Sequence, residues 1–211
     1  MEIKLSQILD KAEKLFMQKG IRNITMDDIS RELGMSKKTL YLYIEDKSDL
    51  LMKIMENIIK QDTDYFNRID RENENPIDEL FETSKYISER LKQVHPSIHY
   101  EIMRYYPEVW KVYNDHKVDF AQKSVKANLI KGIKSGYYRQ NINPDILARI
   151  YISRMDLCFD GEVFPGNEFN FVEVYNEMLY YHIRGVASLK GNQYLVTKIE
   201  TINKYMQWKR Q

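Results

Sequence analysis

TMDDISRELGMSKKTLYLYIEDKSDLL, residues 25–51, is the stretch whose reading decides the fold. Thr25 precedes Asp28 by three residues, the spacing of a capping box, and Ile24 and Ile29 sit at hydrophobic-staple positions, so a short helix starts at Met26. Gly34 ends it, at a turn position that needs positive φ without steric cost. Ser36 is a second N-cap, with Met35 and Leu40 again at staple positions, and KKTLYLYI reads as a helix of about two turns. Two short helices across a turn of three or four residues, the second basic on its outer side, form the helix-turn-helix arrangement. Ile29, Leu33, Met35, Leu40 and Tyr43 fall where these helices bury side chains, whereas small Ser30 and Gly34 fall at the closest approach. Lys37, Lys38, Thr39 and Leu42 are left outward, flanked by Tyr41 and Tyr43. That composition suits phosphates and base edges: lysine as cation, threonine hydroxyl and methyl for bases, tyrosine hydroxyls for phosphate oxygens. Thr25, Ser36 and Lys47 stand at helix starts, where free N–H groups and the positive dipole end favour phosphate.

Working outward, Leu5, Ile8, Leu9, Ala12, Leu15 and Phe16 lay one apolar stripe on a first helix that Gly20 ends. Asp46 and Ser48 can each cap a fourth helix, whose Leu50, Leu51, Ile54, Met55, Ile58 and Ile59 continue at helical spacing. RENENP at 71–76 ends it, and Pro76 suits the start of a fifth helix to about Val94. His95-Pro96 starts a short helix that Pro107 closes or kinks, and 107–135 reads as one long helix before the loop QNINP. Helices follow at 145–160 and, after the loop GEVFPGNEFN, at 171–189. A last amphipathic helix carries Leu195, Ile199, Ile202 and Met206. The expected fold is all-α, with nine or ten helices: a three-helix helix-turn-helix domain over residues 1–47, then a helical bundle over 48–211.

A chain of 211 residues with 43% hydrophobic content belongs with globular proteins rather than disordered ones. Its formal net charge is +1, so a nucleic-acid reading rests on where charges sit, not on their sum. The lone cysteine, Cys158, cannot form an internal disulfide and fits a reducing compartment. No stretch approaches 18 apolar residues without charges, so the expectation is a cytoplasmic protein with no membrane contact. His95 and His99, four apart with Glu101 near, have metal-ligand spacing. HExxH, a Gly-rich phosphate loop and a nucleophile elbow are all lacking, however, and His116 and His182 lie far off in sequence. A metal-dependent helical enzyme is therefore the first alternative. The second is a helical interaction protein that does not bind DNA, whose basic tail of Lys198, Lys204, Lys209 and Arg210 meets a membrane or an acidic partner. No cofactor is expected.

The segment 25–51, and the run LGMSKKTLYLYIEDKSDLL within it above all, resembles the DNA-binding domain of the tetracycline-repressor (TetR) family: the turn, the Thr-Leu-Tyr, a second Tyr two residues on, and the Lys before the fourth helix. The resemblance covers about the first 52 residues and implies that Thr25, Ser36, Lys37, Lys38, Thr39, Tyr41, Tyr43 and Lys47 contact DNA. Leu42, left outward on the third helix, joins them as a candidate. Lys38 stands where many members have Gly, and Ile44 where many have Phe. A basic N-terminal arm is absent, with only Lys4 before the first helix.

One helix-turn-helix contacts too few bases for tight specific binding, which predicts a homodimer on a palindromic operator. The helices 145–160 and 171–189 are apolar over most of their circumference and need covering on two sides. The resemblance implies that this last pair of long helices dimerises, so Ile146, Ile150, Leu157, Tyr175, Met178, Leu179, His182 and Val186 are interface candidates. It also implies an effector cavity among the fifth to eighth helices. Given the local load of aromatic and methionine side chains, His99, Met103, Trp110, Tyr113, Tyr151 and Met155 are candidates to meet an apolar or aromatic small molecule. A ligand that shifts the long fourth helix would then change the separation of the two reading heads.

Overall fold

The computed structural model describes residues 2–95 and 97–206, with side chains from 5 to 95 and from 97 to 198. Pro96, Lys209, Arg210 and the side chains of Lys4, Ile199, Ile202, Lys204 and Met206 lie outside that description. The chain is all-α: α1 (Glu2–Lys19), α2 (Met26–Glu32), α3 (Lys37–Leu40), α4 (Lys47–Glu72), α5 (Pro76–Leu91), α6 (Ile98–Tyr105), α7 (Pro107–His116), α8 (Gln122–Lys134), α9 (Pro144–Met155), α10 (Phe171–Val186) and α11 (Leu189–Met206). A π-helical segment, Lys117–Ala121, runs α7 into α8, so the single long helix expected from 107 exists with one irregular stretch. A 3₁₀ turn, Asp156–Phe159, tightens the end of α9. No helix among the described residues is long and apolar enough to cross a membrane.

Local chemistry sets the boundaries. Pro107 and Pro144 occupy the first turns of α7 and α9, and Pro76 is the first residue of α5; there a missing N–H costs nothing. Asn143 and Asn170 cap α9 and α10 by accepting from backbone amides of Ile146 and Val172. Asp46 caps α4, its Oδ1 accepting from the Asp49 amide at 2.8 Å, whereas Ser48 lies within the helix. α3 is regular over four residues only. It then tightens, Leu42 and Tyr43 donating to the carbonyls of Thr39 and Leu40 at 3.3 and 3.0 Å. The expected second turn is thus 3₁₀-like, and it ends where buried Ile44 anchors the chain.

Packing divides the chain into two compact units, Met1–Tyr65 with Glu89–Phe120, and Phe66–Ser88 with Ala121–Gln211. The first contains the three N-terminal helices but also takes in 48–65 and 89–120, beyond the division drawn at residue 47. Its core joins Ile8, Ala12, Phe16, Ile21, Ile29, Leu40 and Ile44 to Leu50, Ile54, Ile98 of α6 and Val109 of α7. Three short helices bury too little apolar surface alone, and α4, α6 and α7 supply the remainder.

The second unit packs Ile77, Leu80, Leu129, Tyr138, Ala148, Tyr151, Leu179, Ile183 and Leu195 together. The Lys131 ammonium lies 2.7 Å from Asp70 Oδ1 and 2.8 Å from Glu79 Oε2, and also donates to the Asn73 carbonyl at 3.2 Å. Burial pushes the Glu79 carboxyl up, against Lys131, which lowers it. Tyr138 donates toward the Pro76 carbonyl and Asn128 Oδ1 from 3.2 and 3.0 Å, its ring lying against Gly132 of α8. Lys198, read from sequence as part of a free basic tail, pairs with Asp78 at 2.9 Å.

The interface candidates separate here. Tyr175, Leu179 and Val186 are 0, 1 and 2% exposed within this unit. Their assignment to a partner surface is corrected, because a helix apolar all round gives one side to its own core. Ile146, Ile150 and Leu157 are exposed, and Met178 and His182 are half-buried. The outward side of α10 carries Tyr181, 67% exposed.

Two outcomes are expected. A Cβ at Gly132 would overlap the Tyr138 ring, so Gly132→Ala should lower the unfolding free energy in urea by about 1–3 kcal/mol. Burial first, and Arg154 second, push the His182 imidazole down to about 4 from an ordinary 6.5. Its neutral form is therefore favoured by folding, and its contribution is present above pH 6.5 and lost as pH falls to about 4. Relative to His182→Gln, the wild-type chain should lose on the order of 2–3 kcal/mol across that window.

Candidate nucleic-acid interface

The α2–α3 region is built from reciprocal short-range bonds. The Asp28 amide donates to Thr25 Oγ1 at 3.2 Å, and Asp28 Oδ2 accepts from the Thr25 amide at 2.9 Å and from its hydroxyl at 2.6 Å. Those Thr25 bonds hold the Asp28 carboxyl below the usual range. Gly34 has φ +65°, and Met35 donates across it to the Ser30 carbonyl at 3.0 Å, closing α2 by the Schellman pattern. Ser36 Oγ then accepts from the Thr39 amide at 3.1 Å and lies 2.9 Å from the Thr39 hydroxyl. Leu40 beneath is 0% exposed.

Above that anchor, Ser36, Lys37, Lys38, Tyr41 and Leu42 are exposed, Tyr41 by 48% and Leu42 by 75%, while Thr39 and Tyr43 are half-buried. Thr25 is exposed at the start of α2. The Lys37 ammonium is ion-paired with Asp27 on α2. Lys47 departs from its assignment. Its ammonium turns inward to the carbonyls of Ile21, at 2.6 Å, and Ile24, and lies 5.8 Å from the Phe16 ring centroid. Burial lowers its pKa, with Glu101 raising it in second place. Its placement on phosphate is corrected: the group braces the α1–α2 connection, because that connection's own carbonyls lie within its reach.

The other half of that brace was not legible in the sequence. Glu101 of α6, 7% exposed, accepts from the amides of Ile21 and Arg22 on one oxygen, at 2.7 and 2.9 Å. The His95 amide donates to the Met17 carbonyl at 2.8 Å, and Arg22 donates to the Tyr105 hydroxyl at 3.2 Å while its guanidinium lies 4.7 Å from that ring. Gly20, at φ +79°, lets Ser97 and Glu101 come this close. The 80-residue separation between Ile21 and Glu101 explains why no local pattern announced the contact.

The remaining candidates fall into two groups. His99 sits edge-on to Trp110 at 4.9 Å, and Trp110 lies 5.5 Å from Tyr113, with the buried Lys117 ammonium 5.6 and 5.8 Å from those two rings. Met103, on the same helix as His99, is 45% exposed. Tyr151 and Met155 belong to the second unit, where Tyr151 packs 4.6 Å from His182. His95 Nδ1 is engaged with Ser97 Oγ at 2.9 Å, and among the described residues no three His, Cys, Asp or Glu side chains gather as a metal site would require.

Removing the Glu101 acceptor strands two amides. Glu101→Ala should lower stability by about 1–3 kcal/mol and speed hydrogen exchange at the Ile21 and Arg22 amides, measured by NMR, while the amides of α9 and α10 keep their protection.

With this geometry in view, residues 8–54 match the family model for bacterial regulatory proteins of the tetR family. The chain is 25% identical over 188 residues to an uncharacterized HTH-type transcriptional regulator, YvaF, of Bacillus subtilis, covering 86% of this chain and 95% of that one. A TetR-family transcriptional regulator from Agrobacterium tumefaciens superposes with TM-score 0.70 at 17% identity, over 89% of this chain and 99% of its own. A transcriptional regulator from Saccharomonospora viridis, solved in complex with choline, superposes with TM-score 0.67 at 20% identity, over 89% and 100%. The helix-turn-helix, the sequence relatives and the all-α fold agree: residues 8–54 are a DNA-binding domain of the TetR family, whose members are transcriptional regulators and not enzymes, and the chain as a whole is similar to such regulators.

Proposed function

We propose that this regulator acts in the cytoplasm as a homodimeric repressor that binds a palindromic operator and lets go when a small molecule occupies its C-terminal part. The carrying observation is the segment Ser36–Ile44, which presents charged, hydroxylic and apolar side chains outward over a buried Leu40. Residues 1–47 read DNA through Thr25, Ser36, Lys37, Lys38, Thr39, Tyr41, Leu42 and Tyr43, and 48–211 serve sensing and dimerisation. Lys38 is the cation committed to DNA, since Lys37 is shared with Asp27 and Lys47 is turned inward. Dimerisation uses the outward sides of α9 and α10, with Ile146, Ile150, Leu157, Met178 and His182. Exposed aliphatic side chains there are the material of an interface core.

The effector is an apolar or aromatic molecule, and its candidate contacts are His99, Trp110 and Tyr113 within the first unit or Tyr151 and Met155 within the second. Choline bound to a protein of similar fold supports a small-molecule effector in kind, not in identity. Release requires that effector and operator favour different conformations, a reciprocal coupling typically of 1–3 kcal/mol.

The test is operator binding by fluorescence anisotropy as a function of salt. Binding should fall steeply with salt, and Lys38→Met should reduce the slope of log K against log salt by about 1. Lys47→Met should leave the slope unchanged while destabilising the fold. Equal affinity for all duplexes, or no binding at low salt, would overturn the reading.

A further inference from the structure

Nine residues, Ser36–Ile44, form the outward segment, and they contain no Arg, Asn or Gln. Those, with lysine, are the side chains that grip a purine edge with two hydrogen bonds in the major groove, so Lys37 and Lys38 are the segment's members of that set. The polar groups that are present are largely spent within the protein. The Lys37 ammonium is held by Asp27, and the Thr39 hydroxyl and Ser36 Oγ are bonded to each other at 2.9 Å. Tyr43 is half-buried against the core of the first unit. Lys38, Tyr41 and Leu42 remain exposed, at i, i+3 and i+4, a spacing that gathers them on one side of a helical turn. Leu42 is the most exposed of them whose side chain carries no polar atom.

An aliphatic side chain has one distinctive partner in the major groove, the 5-methyl group of thymine. Resting on the DNA-binding reading above, we infer that Leu42 is a specificity-determining residue that packs on a thymine methyl in each half-site. Lys38, one helical turn away on the same side, supplies the adjoining polar contact to phosphate or guanine. Thr39, whose hydroxyl is tied back to Ser36, has its methyl left as its contribution to the same apolar strip. Sequence discrimination by this chain therefore depends on methyl groups more than on paired hydrogen bonds.

The experiment begins with the best-binding duplex selected by the purified full chain from a random-sequence pool. Each thymine is then replaced singly by deoxyuridine, which removes the 5-methyl and nothing else. For the wild-type chain, one or two replacements per half-site should weaken binding about fourfold each, the worth of one methyl taken out of water. Leu42→Ala should bind the thymine and deoxyuridine duplexes alike, with an unchanged salt slope because no cation is lost. Leu42→Met should restore the discrimination. Leu42 is 75% exposed, so circular dichroism of both variants should match the wild type. Indifference of the wild type to every deoxyuridine, or sensitivity kept at the same positions by Leu42→Ala, would overturn the assignment while leaving sequence-specific binding in place. A pool from which nothing enriches would overturn both.

Discussion

The connection between α1 and α2 is held by two opposite charges. On one side the Glu101 carboxylate takes the Ile21 and Arg22 amides, and on the other the Lys47 ammonium takes the Ile21 and Ile24 carbonyls. A buried carboxylate without partners is costly, and this one is tolerated because the α1–α2 connection turns the Ile21 and Arg22 amides toward it. The lysine is accommodated in the same way, by the Ile21 and Ile24 carbonyls of that connection. Charge-assisted bonds of this kind are stronger than neutral ones, so the angle at which α1 hands the chain to α2 is tied to α4 and α6. The recognition segment depends on that angle, because α3 has four regular residues and no capacity to orient itself.

What was legible in the sequence is what local chemistry decides. The Thr25–Asp28 box, the Ser36 cap and the positive φ at Gly34 each depend on neighbours within five residues, and each is present. The prolines that open α5, α7 and α9 belong to the same class. Periodicity identified the apolar faces but not their partners. That Ile98 and Val109 would close the core of the reading head, or that Glu101 would brace it, depends on contacts some 50 to 90 residues apart, for which helical spacing carries no record. The π-helical turn at Lys117–Ala121 likewise has no breaker residue to mark it. It falls where the chain passes from the first unit to the second.

The corrected residues share one physical cause. Lys47 was assigned to phosphate, and Tyr175, Leu179 and Val186 to a partner, because of residue type and position along a helix. Each instead satisfies a demand nearer at hand, the carbonyls of the α1–α2 connection in the first case and the core of the second unit in the others. A cation at a helix start and an apolar residue on an all-round apolar helix are ambiguous until their nearest unsatisfied neighbours are known. In both cases the internal partner had prior claim.

α6 connects the two kinds of chemistry in the first unit. It has eight residues, and His99 and Glu101, two apart, point to opposite sides of it at about 100° per residue. His99 rests on Trp110 of α7, and Glu101 holds the α1–α2 connection. The aromatic packing and the carboxylate's bonds to Ile21 and Arg22 therefore share one short backbone, and the cluster and the reading head are joined through α6 as well as through the long span of α4.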